Sequence, residues 1–282
     1  MPAIPSCLLD PIWNQFAALL IEHPLVAPSH PLGCHRRRVP DRTVFEHVVA
    51  ALVHGSGYER LATPGCSDRT IRRRLQAWAA AGLAEVLHTL VLQPYDRLLG
   101  LELGDLSADG CITKAPCGGA RAGRSPVDRG KRGLKRSTVT DGQGVPLHVV
   151  ATGANRHDGP LLAPTLAGLA KLGPLPDGVT AHLDRAYEGA PTRALLHHLG
   201  FTGDIARKGV PAPLQAGKRW VVERTQAWMN GYGKLRRCTE RHGAIVDFYL
   251  FLAAAFVTVR MLIQRARTRF RWPGRPTTRR LK

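Results

Sequence analysis

The sequence predicts an α/β protein, a mixed sheet flanked by helices and preceded by a small all-helical region. Three observations carry this. Of the 282 residues, 44% are hydrophobic and 22% charged, the mix of a globular chain able to bury a sizeable core. From about residue 41 to 95 apolar residues recur at helical spacing. Beyond residue 101, β-prone runs first follow one another and then alternate with helical stretches, in the order β-β-β-α-β-α-β-α-α.

Residues 1–40 are rich in Pro and His, end in His35-Arg36-Arg37-Arg38, and are expected to hold one helix around Ile12 to Glu22. Asp41 can cap a helix whose Val44, Val48, Val49 and Leu52 are its apolar residues and which stops at Gly55-Ser56-Gly57. A short helical stretch, Tyr58 to Ala62, leads to the turn Thr63-Pro64-Gly65. Ser67 or Asp68 then caps a helix of about Arg69 to Ala81, ended by Gly82, and a further helix runs from Leu83 to about Leu92. Helix, short helix, turn, helix is the order of a helix-turn-helix unit. After the turn, Ile71, Leu75 and Trp78 mark the buried face, and Arg69, Arg72, Arg73 and Arg74 fall mostly outside it, where phosphate and base contacts would be made. A basic solvated helix in a small bundle has the same pattern.

Past Pro94 the character changes. A strand is expected around Leu106 to Ile112, then a basic Gly- and Arg-rich loop from Cys117 to Arg132. Ser137–Thr140 and Leu147–Thr152 flank Asp141-Gly142-Gln143-Gly144, a hairpin signal. A helix (about Leu161 to Leu172), a strand (Val179 to Leu183), a helix (around Pro191 to Leu199) and a strand (Thr202 to Ala206) follow. Helices of about Trp220 to Arg237 and Ala244 to Arg265 close the order. The expected divisions are an N-terminal segment (1–40), a helical domain (41–95), an α/β domain (101–265) and a basic tail (266–282). Mixed sheets of this kind include the RNase H-like fold.

Forty Lys and Arg against 21 Asp and Glu give a net charge of +19. Such a field attracts polyanions, nucleic acid first and an anionic membrane surface second, unless it is only a solvated basic face. The longest uncharged apolar run, Phe248 to Val259, falls short of the about 20 residues a membrane span needs, and its all-round apolarity fits a core helix. Met1-Pro2-Ala3-Ile4-Pro5 has no leader-like pattern. The six cysteines are scattered, without zinc spacing, and read as reduced thiols of a cytosolic protein.

In so basic a chain, acids inside the apolar framework stand out. Asp109 lies in the first core strand, Asp184 ends a later one, and Glu223 sits one turn into a helix. A carboxylate at a strand's C-terminal end reaches the crevice where α/β sheets bind ligands. Carboxylates converging there suit Mg²⁺ or Mn²⁺, and two such ions about 3.5–4 Å apart can run an in-line phosphoryl displacement. By helical phase Arg219, Glu223, Asn230 and Lys234 share a polar stripe, with Val221, Trp228, Tyr232 and Leu235 opposite as the core stripe. A solvated face with i,i+4 pairs looks the same. Asp109 also fits a turn residue before Gly110, and Asp184 a helix cap.

The stretch from Val39 to Arg241 resembles the DDE transposases of bacterial insertion sequences. The matching runs are Asp41 to Glu46, Arg69 to Arg74 and Trp78 to Gly82 in the helical region. In the core they are Ala108-Asp109-Gly110, Lys131 to Arg136, Thr140 to Leu147, Asn155-Arg156-His157-Asp158, Leu183 to Tyr187 and Arg219 to Trp228. The resemblance implies an RNase H-like core whose acidic triad is Asp109, Asp184 and Glu223, holding Mg²⁺ or Mn²⁺. Arg219 matches the family's Arg four before the Glu, whereas Ala216 and Asn230 stand where Tyr and Lys are usual; Lys234 is the candidate to replace that Lys. His157 is expected to be a hydrogen-bonded structural group rather than a base, and Tyr187 a motif neighbour.

The implied activity is hydrolysis at an element end that frees a 3′-OH, followed by attack of that hydroxyl on target DNA. Double-stranded DNA is the expected partner, met by Arg69, Arg72, Arg73, Arg74, Lys131, Arg132, Lys135, Arg136, Arg219 and Lys234. A homodimer on DNA, no membrane, and a nucleoid-associated cytoplasmic location complete the expectation. The alternatives are a structure-selective nuclease without strand transfer, and a non-catalytic DNA-binding protein descended from a transposase.

Overall fold

The computed structural model describes residues 3–21, 38–206 and 218–271. The basic run at 35–37 and the tail beyond 271 lie outside the described residues. The first helix, α1 (Ser6–Ala17), starts earlier than expected and continues through Pro11, because Leu9, Ile12 and Phe16 bury together along one face. Four more helices follow, α2 (Asp41–His54), α3 (Tyr58–Leu61), α4 (Asp68–Ala80) and α5 (Leu83–Leu99). Ser67 caps α4, its hydroxyl accepting from the Thr70 N–H at 3.3 Å. The expected order of helix, short helix, turn and helix is present. Instead of stopping near Leu92, α5 runs through Pro94, since Val91, Leu92 and Tyr95 are all buried and packing outweighs the lost backbone hydrogen bond.

The sheet has six strands: β1 (Asp105–Lys114), β2 (Gly123–Arg124), β3 (Arg132–Asp141), β4 (Pro146–Gly153), β5 (Thr180–Leu183) and β6 (Thr202–Ile205). β3 pairs antiparallel with β1 and with β4, while β1, β5 and β6 run parallel. This is an RNase H-like mixed sheet, as expected. Asp141 fixes the β3–β4 turn, its carboxylate accepting from the N–H groups of Gln143, Val145 and Glu102 at 2.7–3.1 Å. The helices α6 (Gly159–Ala167), α7 (Ala190–His198), α8 (Arg219–Asn230), α9 (Gly233–Arg236) and α10 (Gly243–Arg269) complete the chain.

The helix expected over Trp220 to Arg237 is broken at Gly231 into α8 and α9, which changes the phase of everything beyond it. The buried residues of α8 are Val221, Val222, Thr225, Gln226 and Met229, and Trp228 is exposed, so the core stripe is rotated from the one expected. α10 is longer than the apolar run that announced it. By length and composition alone it would pass for a membrane span, yet 83% of its most apolar stretch is buried inside the protein. It packs against α1, α4 and α5 on one side and β4 and α8 on another, so one apolar core runs across the expected boundary between helical and α/β domains. Phe16 centres this contact, 4.8 Å from Phe45, 5.1 Å from Trp78 and 6.2 Å from Phe248, ring to ring.

A second tie joins α3 to α9 and α10. The Tyr58 hydroxyl donates to Glu240 at 2.8 Å and meets the Tyr249 hydroxyl at 3.0 Å, while Lys234 donates to Glu240 at 2.5 Å and to Thr239 at 3.1 Å. Beside it the end of α2 touches the start of α9 backbone to backbone. A methyl group on Gly233 would lie 2.5 Å from the Gly55 nitrogen. Gly233→Ala is therefore expected to lower stability by about 1–3 kcal/mol in urea unfolding, and Gly65→Ala, which meets open space, to leave it unchanged. Equal midpoints for the two variants would contradict the close approach.

Candidate active site

The sheet register brings the first two acids together. β1 and β5 are paired in parallel up to Ala108↔Leu183, so Asp109 and Asp184, the next residue of each, stand on neighbouring strands where β5 ends. Asp184 also caps the 3₁₀ turn Arg185–Tyr187, accepting from the Ala186 N–H at 2.8 Å, so its helix-cap role and its place in the crevice coexist. Glu223 comes from α8, which lies across β1 and β3. Gln226 pins that helix, donating to Thr138 Oγ1 at 3.0 Å and to the Asp109 carbonyl at 3.4 Å; Thr225 donates to the Gly144 carbonyl at 2.7 Å. Ser107 donates to the Lys218 carbonyl at 2.8 Å and fixes the start of the helix. Glu223 then faces the crevice from the exposed side of α8.

A fourth carboxylate joins them. Asp158 approaches the strand over Gly110, where a Cβ would collide with its Oδ1. Its Oδ2 accepts from the buried Lys135 Nζ at 2.9 Å, and its Oδ1 is buried with no hydrogen-bond partner among the described residues. The Asn155–Asp158 run is part of the family resemblance, but the sequence pattern assigns Asp158 no role. The available signal was Gly110 itself, since a glycine inside a strand often marks the close approach of another group.

Crowded acids show in their acidities. Burial, and then the charges of Asp184, Asp158 and Glu223, push the Asp109 carboxyl up to about 7, against one opposing hydrogen bond from the Gly110 N–H. Burial also raises Asp184, helped by Asp158 and opposed by Arg219 and the turn N–H groups. Tyr187 is buried beside Asp109 and Asp158, whose charges add to burial in raising its phenol. His157 is exposed and has no hydrogen bond among the described residues, contrary to the structural role expected of it. The four acids are of the type that hard divalent cations prefer, and Asp158 offers an unused oxygen. They stand around the crevice rather than closing on a point: among the described residues no three His, Cys, Asp or Glu side chains form a ready metal cage.

Residues 107–257, which contain all four acids and the helix that carries Glu223, match the family model of the transposase DDE domain. The chain belongs to the DDE transposases. It is 33% identical over 146 residues to a protein of Burkholderia cepacia named "Putative transposase for insertion sequence element IS402", a match that covers 50% of this chain and 69% of the relative. Insertion-sequence transposase is thus the function of its family, and the family works on DNA and generally uses divalent metal ions.

Among the cations expected to hold this transposase's DNA, Arg69, Arg73, Lys131 and Arg132 are exposed, and Arg72 and Arg219 are half-buried. Four others are corrected. Arg74 is buried and paired with Asp41, Lys135 is committed to Asp158, and Lys234 to Glu240 and Thr239. Arg136 is fully buried, donating to Asn230 at 2.6 Å and Cys111 at 3.3 Å. Only Lys131 of the basic run 131–136 precedes β3; Arg132 opens the strand exposed, and from Gly133 onward the run is buried. Lys234 fails as a substitute for the family's Lys because the break at Gly231 turns it inward; Asn230 stands at that position with Arg136 behind it. The sequence reading missed Lys114, Arg236 and Arg237, which line a cleft of about 710 Å³ between the outer half of β1 and the end of α8.

The raised Asp109 pKa fixes a pH dependence. The carboxyl ionises near 3.8 when unfolded and near 7 in the fold, so the fold is favoured below the lower value and loses that advantage as pH rises to about 7. In EDTA, Asp109→Asn should raise the melting temperature at pH 8 by roughly 3–5 °C and leave it unchanged near pH 4. Thermal scans at both pH values check this; the same shift at each would contradict it.

Proposed function

We propose that this chain is a metal-dependent DNA strand-cleaving and strand-joining enzyme, with Asp109, Asp184 and Glu223 as its catalytic carboxylates. The observation that carries the reading is the juxtaposition of Asp109 and Asp184 at the end of parallel pairing, with Asp158 and Glu223 close enough to oppose ionisation of Asp109. Carboxylates gathered in so basic a protein are held for a cation. Mg²⁺ or Mn²⁺ bound by them would supply activation of the attacking oxygen and stabilisation of the leaving one.

The chain's own residues do the rest. Gln226, Thr225 and Ser107 hold α8 against β1 and β3, so Glu223 is placed by the fold and not by its own rotamer alone. Arg219, in the turn before Glu223, opposes the rise in the Asp184 pKa and would meet a phosphate entering the crevice. The cleft lined by Lys114, Arg236 and Arg237 leads away from the acids as a path for the phosphate backbone. Arg69 and Arg73, on the outer face of α4, are placed to read the element's ends. Joining two ends requires two copies of the chain on DNA, so a homodimer forms in the synaptic complex.

The deciding experiment incubates the full chain with DNA carrying the gene's own flanking sequence, in Mg²⁺ or in EDTA. Metal-dependent nicking at the flanks, followed by joining to a second DNA, is expected of the parent. Asp184→Asn should cut at least about 10³-fold more slowly while binding the same DNA. Nicking without joining would favour a structure-selective nuclease, and cleavage by the variant at the parent's rate would remove Asp184 from the mechanism.

A further inference from the structure

β1, β3 and β4 outrun the parallel part of the sheet, β4 staying paired with β3 as far as Leu134↔Gly153. β5 leaves β1 at Ala108↔Leu183, whereas β1 and β3 stay paired from Asp109↔Thr138 to Lys114↔Gly133, about 20 Å past the last β5 pair. β2 extends the arm by pairing Gly123 and Arg124 with Gly133 and Arg132. The arm projects from the end of the parallel strands where the acids stand. Its position comes from the register and owes nothing to the catalytic side chains.

The tip of the arm is ordered. The Ser125 N–H donates to the Lys131 carbonyl at 2.8 Å, Lys131 N–H to Asp128 at 2.9 Å and Gly130 N–H to Ser125 at 3.2 Å, while the Val127 N–H reaches the Ser125 hydroxyl at 3.4 Å. Arg129 takes a left-handed backbone, φ 50°, to close the turn. These bonds hold Pro126 and Val127 outward, and Val127 is 77% exposed. Around them Arg124, Arg129, Lys131 and Arg132 are exposed, and among the described residues none is paired with a carboxylate. Asp128 is the one acid of the tip.

Two apolar residues at the end of a braced arm, ringed by unpaired cations, match one occupant by charge and shape. An apolar wedge that includes proline can enter between base steps while arginines follow the phosphates. We propose that this arm is a DNA-deforming finger, its cations tracking the backbone of the bound duplex while Pro126 and Val127 wedge into a base step farther along the duplex than the acids. The proposal rests on the reading of the chain as a DNA-acting enzyme and adds a residue-level site to it.

The test uses the full chain in EDTA with a circularly permuted set of duplexes made from the gene's flanking sequence, so that a bend is read from gel mobility without cleavage. The parent complex is expected to bend its DNA by roughly 20–90°. The double variant Pro126→Ser/Val127→Ser, at exposed positions and so with an unchanged melting temperature, should bind within about threefold of the parent and lose most of the bend. A variant complex bent like the parent's, or a parent complex that is straight, overturns the finger and leaves the DNA-acting reading standing. A variant that loses binding together with the bend also overturns it, since the tip would then be an anchor. A parent that retards none of the duplexes overturns both readings. Changing Arg124, Arg129 and Lys131 together to Ala should make the salt dependence of binding shallower by roughly two to three, and an unchanged slope would remove those cations from the phosphates.

Discussion

From Ile245 to Met261 every residue of α10 is buried except Asp247 and Arg260, so this helix needs apolar partners on all its sides at once. It finds them in α1, α4 and α5 on one flank and in β4 and α8 on another. Each large side chain so buried contributes about 1.5–3 kcal/mol, which makes this the largest concentration of hydrophobic stabilisation in the chain. The geometric consequence is that the helical region and the sheet share one axis of packing. The few polar groups near α10 reinforce that position: Asp247 accepts from Arg121 in the arm at 2.6 Å, and Arg265 donates to Tyr95 of α5 at 2.7 Å and to the Gln143 carbonyl at 3.1 Å. Because α8 leans on this same helix, the placement of Glu223 depends on it as well.

At the site the balance reverses, and electrostatics opposes the fold. Asp109 is buried among like charges, and burial and those charges together disfavour its ionised form and raise its pKa. The cations within the protein do little to offset it. Lys135 neutralises one oxygen of Asp158 and leaves the other without a partner, while Arg136 spends its guanidinium on Asn230 and Cys111. Buried charges of this kind must be paired where they are and are not available elsewhere. The crevice therefore favours an incoming cation, and the exposed cations outside it favour the polyanion on which that cation would act.

Much of this was legible in the sequence, and what was not has specific causes. The helical region is legible in its apolar spacing and in the Ser67 cap, whereas Asp41 opens α2 without capping it; Asp109 inside one strand and Asp184 at the end of another are legible, but the parallel pairing that joins them is not. Nor is the phase of α8, because Arg219 to Arg237 reads as one period although Gly231 breaks it; past that break Lys234 turns inward and Tyr232 and Leu235 belong to another packing contact. Helical phase puts Trp228 in the core stripe, but it lies on the exposed side with Trp220, both rings stacked against the Arg224 guanidinium at 4.6–4.8 Å. Asp158 was illegible for a different reason. Its contact with Gly110 joins segments far apart in the chain, and no local pattern specifies such a meeting.

Charge shows the same limit. A net charge of +19 predicts a polyanion partner, but it does not say which cations touch it. Of the ten expected to do so, Arg74, Lys135, Arg136 and Lys234 are buried, each held by a carboxylate, an amide or a thiol. They tie α4 to α2, the Asp158 turn to β3, α8 to β3 and α9 to α3, and removing one would strand its partner in the interior. Only a cation that reaches solvent can release counterions from DNA, so the electrostatic footprint is set by those left outside. These gather on α4, along the cleft beside β1 and on the arm beyond it. The buried cations fix the shape of the surface, and the exposed ones give that surface its positive field.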